Sequence, residues 1–239
     1  MRLGRRIMIG ALAALLPVAA AARELRFITI EAAPWAYQPA APEGAFPQLV
    51  RELERRTGHV IHISLQSFVR VERDLETGEQ DCTILMWNDA RGRVVERGEN
   101  VYSMPFGIIA RTGLRLESYE DLAGLTVSVV RGLAIHPRFD GDAALRKDFD
   151  RDYGAGMRKM VHGRLDAVAG ALPTIAYLAA QQGMGDALGD RLVLSSVPLA
   201  LQCSRRSPNL DVLPQLNQAV RDMAADGTLG RILAANHYP

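Results

Sequence analysis

Residues 25–87 alternate short β-rich runs with amphipathic helical stretches, joined by short links. This alternation constrains the fold more than any other feature. A β-α-β-α-β order with tight connections points to a mostly parallel sheet covered by helices. Residues 25–30 read as a strand that runs into a loop at Ala32-Ala33-Pro34. In residues 46–57, Leu49, Val50 and Leu53 share one helical stripe, and Gly58 stops the helix. Residues 60–65 alternate as a second strand. Phe68, Val71 and Leu75 then recur at helical spacing up to Gly78, and residues 83–87 form a nearly all-apolar third strand.

A second unit begins after Arg111. Ser118 can cap a turn over residues 119–122. Strands are expected over 125–130, 166–169, 192–195 and 197–203, and helices over 153–162 and 175–182. Ser207-Pro208 reads as a helix start, with Ser as N-cap and Pro in the first turn. Leu213, Leu216, Val220 and Met223 line one face of that final helix. The chain has no short-period repeat, which excludes a solenoid.

The 239 residues carry 28 Lys and Arg against 27 Asp and Glu, so charge gives no argument for a nucleic-acid partner. Arg2, Arg5 and Arg6 precede an apolar run over residues 7–18 and small residues at 19–22, the order of a secretory signal cleaved near Ala22. The apolar run is short for a bilayer span. Export would bring Cys82 and Cys203 into an oxidising compartment, as either a disulfide or two buried free thiols.

Several stretches together carry a family resemblance: Leu25-Arg26-Phe27 leading to Pro34-Trp35, LETGEQDCTI at 75–84, YEDLAGLTV at 119–127, GRLDA at 163–167 and ADGTLGRI at 225–232. In this order and spacing the chain resembles a bacterial extracellular solute-binding protein of family 3, the amino-acid type of periplasmic binding protein. The resemblance implies an α/β, two-lobed type II fold, each lobe a mostly parallel sheet with flanking helices. Residues 1–22 are then the signal peptide, 23–110 the first part of lobe one and 111–196 lobe two. Residues 197–239 supply a return strand and closing helices of lobe one. It further implies a periplasmic monomer that binds a small solute and delivers it to ABC permease subunits in the inner membrane, with no cofactor or metal. It also implies that Cys82 and Cys203 lie on antiparallel neighbouring strands, where a disulfide would form.

Ligands of open α/β sheets bind beyond the carboxyl ends of the strands. That rule places Trp35, Trp87, Asn88 and the loop Arg131, Gly132, Leu133, Ala134 at the cleft. Phe68 is either an aromatic wall or core. Arg91 stands roughly where the resembled family holds a ligand carboxylate, with Arg93 competing for the role. A guanidinium fork suits a carboxylate. Backbone amides of residues 132–134 offer an anion seat if a helix starts there. Gly170 stands where amino-acid binders carry an acid for the ligand ammonium. The expected ligand is therefore a small polar or acidic solute, such as an organic acid, an aromatic acid or another small anion, rather than a standard α-amino acid. Accessory or sensor binding is the alternative role. A dehydratase-like enzyme would need an acid or base such as His136 or Asp89. His59 and His62 fall on opposite faces of a strand and make a poor metal pair.

Overall fold

The computed structural model describes residues 22–238. The expected export signal, up to residue 21, lies outside them. The first half of the chain order is β1 (Glu24–Ile30), α1 (Ala45–Thr57), β2 (Val60–Gln66), α2 (Phe68–Thr77), β3 (Cys82–Met86) and β4 (Val95–Arg111). It continues with β5 (Thr126–Val130), α3 (Pro137–Gly141), β6 (Arg146–Asp150), α4 (Tyr153–Val161), β7 (Ala167–Ala171) and α5 (Leu172–Gln181). The chain closes with β8 (Leu188–Ser204), α6 (Leu213–Ala225) and α7 (Thr228–Ala235).

All the strands join in one eight-stranded sheet of order β2-β1-β3-β8-β4-β7-β5-β6. Its two ends are parallel: β1 with β2 and β3, and β5 with β6 and β7. Between them lies an antiparallel ribbon of β4 and β8, each 17 residues long. One end of the ribbon carries β3, which pairs with β8 over Cys82↔Cys203 to Met86↔Leu199. The other end carries β7, which pairs with β4 over Phe106↔Ala171 to Ala110↔Ala167. The ribbon pairing slips in register at several points between Arg97 and Arg111. Such irregularities bend and twist a strand pair locally.

Elements form largely where the pattern requires. Leu49, Val50 and Leu53 of α1 are buried, as are Leu213, Leu216, Val220 and Met223 of α6. The Ser118–Asp121 pair makes a reciprocal capping box at the turn Tyr119–Leu122. Two readings need correction, and two strands, β4 and β6, were not expected. The strands expected at 192–195 and 197–203 are one strand, β8. The β4 strand has no clean period-two pattern, and the β6 strand is a charged edge, a composition that discourages further pairing. Ser207 does not cap a helix: its hydroxyl donates to the buried Asp81 carboxylate at 2.6 Å, and α6 starts only at Leu213 with Pro214 in its first turn. Pro137 opens α3, and the His136 ring nitrogen accepts the Arg138 amide as its cap.

Cys82 and Cys203 are register partners on β3 and β8, and their sulfurs are bonded at 2.01 Å. The bond closes a sequence separation of 121 residues and ties the returning strand to the first parallel end. At the far edge, Arg56 donates to Glu52 at 2.6 Å and to Asp226 at 2.7 Å, which joins α1 to the turn that starts α7. Hydrogen bonding from Arg55, and then from Arg56, draws the Glu52 carboxyl down to about 2, against the opposing effect of its partial burial.

Replacing Cys82 and Cys203 together by serine is expected to lower the unfolding free energy by about 2–5 kcal/mol in urea titrations. An unchanged midpoint would contradict the staple. The Glu52 carboxyl is held below its unfolded value, so its contribution is present above about pH 4.5 and lost as pH falls toward about 2. Glu52→Gln should flatten that acid limb of stability. A limb identical to the parent would contradict the assignment.

Candidate functional site

The carboxyl ends of β1 and β3 from one end of the sheet and of β5 and β7 from the other meet across the ribbon. A cavity of about 170 Å³ lies where they converge. Ile30, Ala33 and Trp35 follow β1 into it, and Leu85 and Met86 end β3 beside it. Met104, Phe106 and Leu199 come from the ribbon. Leu133, Tyr153, Ala171 and Thr174 come from the second end, and Tyr238 from the segment after α7. Among the described residues, no charged side chain lines this cavity. A wider depression of about 530 Å³ adjoins it, sharing Leu133 and Tyr153, and there Arg151 is paired to Asp152 at 2.9 Å.

Trp35 is held rigidly. Its ring N–H donates to Thr29 at 3.1 Å, and its ring packs against Phe46 and edge-on to Tyr238, each with centroids 6.0 Å apart. The loop that carries it folds back tightly, with the Phe46 amide donating to the Trp35 carbonyl at 2.9 Å. Gly44 has φ of +108°, and a Cβ there would fall 2.6 Å from the carbonyl oxygens of Pro34 and Trp35. Only glycine permits that approach.

Tyr153 opens α4, where the Asp152 carboxylate accepts the Ala155 amide at 2.7 Å. Its hydroxyl accepts the Ala171 amide at 3.1 Å. Its ring lies directly over Gly170, whose Cβ would meet the Tyr153 ring at 2.2 Å. The missing side chain at Gly170 is therefore room taken by Tyr153. Tyr238 is 2% exposed and packs edge-on to Tyr102 at 5.3 Å. Burial pushes the phenols of Tyr153 and Tyr238 above their ordinary value, so both stay neutral.

Of the residues expected at the cleft, Trp35 and Leu133 line the cavity. Arg91 does not, and its expected role is corrected. Its side chain is 2% exposed, donates through Nε to Glu72 at 2.7 Å, and also bonds the Met86 carbonyl and Gln202. Those bonds consume the guanidinium fork inside the first parallel end. Arg93 and Arg131 are exposed outside the lining. Asn88 is exposed and accepts the Arg91 amide at 2.8 Å, while Phe68, half exposed, lies against the Arg91 guanidinium. Trp87 turns away from the cavity: its ring N–H donates to Asp89 at 3.2 Å and the Arg97 guanidinium sits over its ring. Gly132 and Ala134 border a separate depression of about 250 Å³ beside Phe139 and Lys147. No helix starts there, and the Leu133 amide is bonded to the Val130 carbonyl, so the expected anion seat is not formed. His136 and Asp89 lie outside the lining as well.

Met104, Phe106, Tyr153, Thr174 and Tyr238 were not anticipated. The carboxyl-end rule applied to β7 reaches Thr174, but the ribbon and the segment after α7 carry no such signal.

No model of a known family matches the chain, and no curated protein matches it. Solved structures do match. The second substrate binding domain of a putative amino acid ABC transporter from Streptococcus pneumoniae is 20% identical, with a TM-score of 0.74, over 90% of this chain and 99% of that one. Substrate binding domain 2 of Lactococcus lactis GlnP, in an open conformation, is 18% identical, with a TM-score of 0.73, over 91% and 96%. The ancestral amino acid-binding protein AncCDT-1, a precursor of cyclohexadienyl dehydratase, is 18% identical, with a TM-score of 0.66, over 90% and 95%. The chain thus has the type II periplasmic-binding-protein fold.

Arg91→Met is expected to cost about 2–3 kcal/mol of stability, less than a fully buried pair because Glu72 stays partly in solvent. Equilibrium urea unfolding reads this directly, and a variant as stable as the parent would contradict a structural role.

Proposed function

We propose that the protein is an exported solute receptor that captures one small molecule between two lobes and closes over it. Residues 23–110 and 197–238 form lobe one, and residues 111–196 form lobe two. The observation that carries this reading is the convergence of parallel-strand carboxyl ends from both ends of the sheet on one cavity. The β4–β8 ribbon that links them is slender and irregular in register, which suits a hinge. A solute that touches both lobes binds the closed form better and shifts the population toward it. Amino-acid transporter domains among the structural neighbours support delivery of the closed form to ABC permease subunits. The disulfide suits the periplasm.

The lining redirects the choice of ligand. A buried carboxylate or ammonium without a partner costs several kcal/mol. A cavity walled by Met86, Met104, Phe106 and Leu199 supplies none, so an uncharged solute fits better than the acid expected from the sequence. Among the described residues, none in the lining is an acid or base at neutral pH, which supports binding rather than catalysis.

Small-angle scattering of the protein with solutes that raise its melting temperature tests this reading. The expected result is a smaller radius of gyration on binding. A solute that stabilises the protein through this cavity with an unaltered scattering curve would contradict closure.

A further inference from the structure

We infer that the cavity selects an uncharged single-ring aromatic solute of the phenol class, and that Tyr238 sets its size limit. This rests on the cavity being the ligand site proposed above, and it names the chemistry of that site.

Size comes first. The cavity of about 170 Å³ is close to the roughly 150 Å³ apolar cavity that stays dry and binds benzene. One six-membered ring with a small substituent fills such a space. A larger guest has to extend past Leu133 and Tyr153 into the adjoining depression.

Chemistry comes next. Trp35, Phe106, Tyr153 and Tyr238 present ring edges and faces, which favour an aromatic guest in offset or edge-on contact. The Trp35 ring N–H is already given to Thr29. The hydroxyls of Tyr153, Thr174 and Tyr238 are then the polar side-chain groups of the lining that can meet a ligand hydroxyl. Both phenols stay neutral through burial, so they can donate as well as accept. This equipment suits one hydroxyl on a ring and leaves a carboxylate or ammonium without a counter-charge.

Tyr238 decides the limit because it occupies the gap itself. α7, which precedes it, packs on α1 and α6 of the first lobe. From there the chain crosses to α5 of the second lobe, where His237 lies against Tyr177 with centroids 5.2 Å apart and Thr174 lines the same cavity as Tyr238. The Tyr238 ring ends edge-on to Trp35 and Tyr102. It is a wall of the site that spans both lobes, and its removal enlarges the cavity without adding charge.

Calorimetric titration of the full-length protein with phenol, p-cresol, benzoate, L-phenylalanine and 2-naphthol tests the inference, alongside scattering. Phenol and p-cresol should bind with a stoichiometry of one and at least about tenfold more tightly than the other three. Tyr238→Ala should erase the preference for phenol over 2-naphthol, and Tyr238→Phe should keep it. Benzoate or L-phenylalanine binding as tightly as phenol would overturn the ligand class, while compaction on binding them would leave the receptor reading standing. Phenol binding without compaction would leave the ligand class standing and remove the receptor reading. Binding of none of the five overturns the inference. Should Tyr238→Ala not fold, equal binding of phenol and 2-naphthol by the parent protein would still overturn the size limit.

Discussion

The antiparallel pairing of β4 with β8 is the constraint on which the rest depends. β4 carries the chain from the first parallel end of the sheet to the second, and β8 brings it back. The 17-residue strands let one ribbon serve as the edge on which both parallel ends are built. Because β3 and β7 attach at opposite ends of it, the carboxyl ends of β1, β3, β5 and β7 come to face each other. The cavity is a consequence of that arrangement. The Cys82–Cys203 bond strengthens the same region by locking β8 to β3.

The cavity differs from what its position would suggest. Beyond strand ends in an α/β fold, polar recognition groups are common. Here the polar resources are spent elsewhere. Arg91 is bound by Glu72 and the Met86 carbonyl, the Trp35 ring N–H by Thr29, and the Leu133 amide by Val130. At Gly170 a side chain is absent so that Tyr153 can lie in its place. Rings and thioethers remain to line the cavity, with a few hydroxyls that carry no charge.

Much of the fold could be read from residues. The strand-helix alternation over 25–87 and the Ser118–Asp121 turn follow local rules, and their apolar faces are buried where the periodicity puts them. β4 escaped because Gly98, Asn100 and Pro105 interrupt any alternation, and its stability comes from pairing with residues far along the chain. β6 escaped because an edge strand is mostly charged. The site was harder. Trp35 and Leu133 directly follow strands that were visible. Arg91 misled because its partner Glu72 sits on a separate helix, and no spacing rule tells a committed arginine from a free one. Tyr238 lies beyond the last helix, where no periodicity speaks for it, and only the tertiary fold brings it to Trp35.

The central claim is that the gap spanned by the ribbon, lined by Trp35, Phe106 and Tyr153, is where a solute is held. A crystal structure of the protein with its tightest-binding solute tests this most directly. The account predicts ligand density between those rings, touched by both lobes. Density instead in the surface groove of Arg158, Lys159, His162 and Arg164, with the central cavity unchanged, would contradict it.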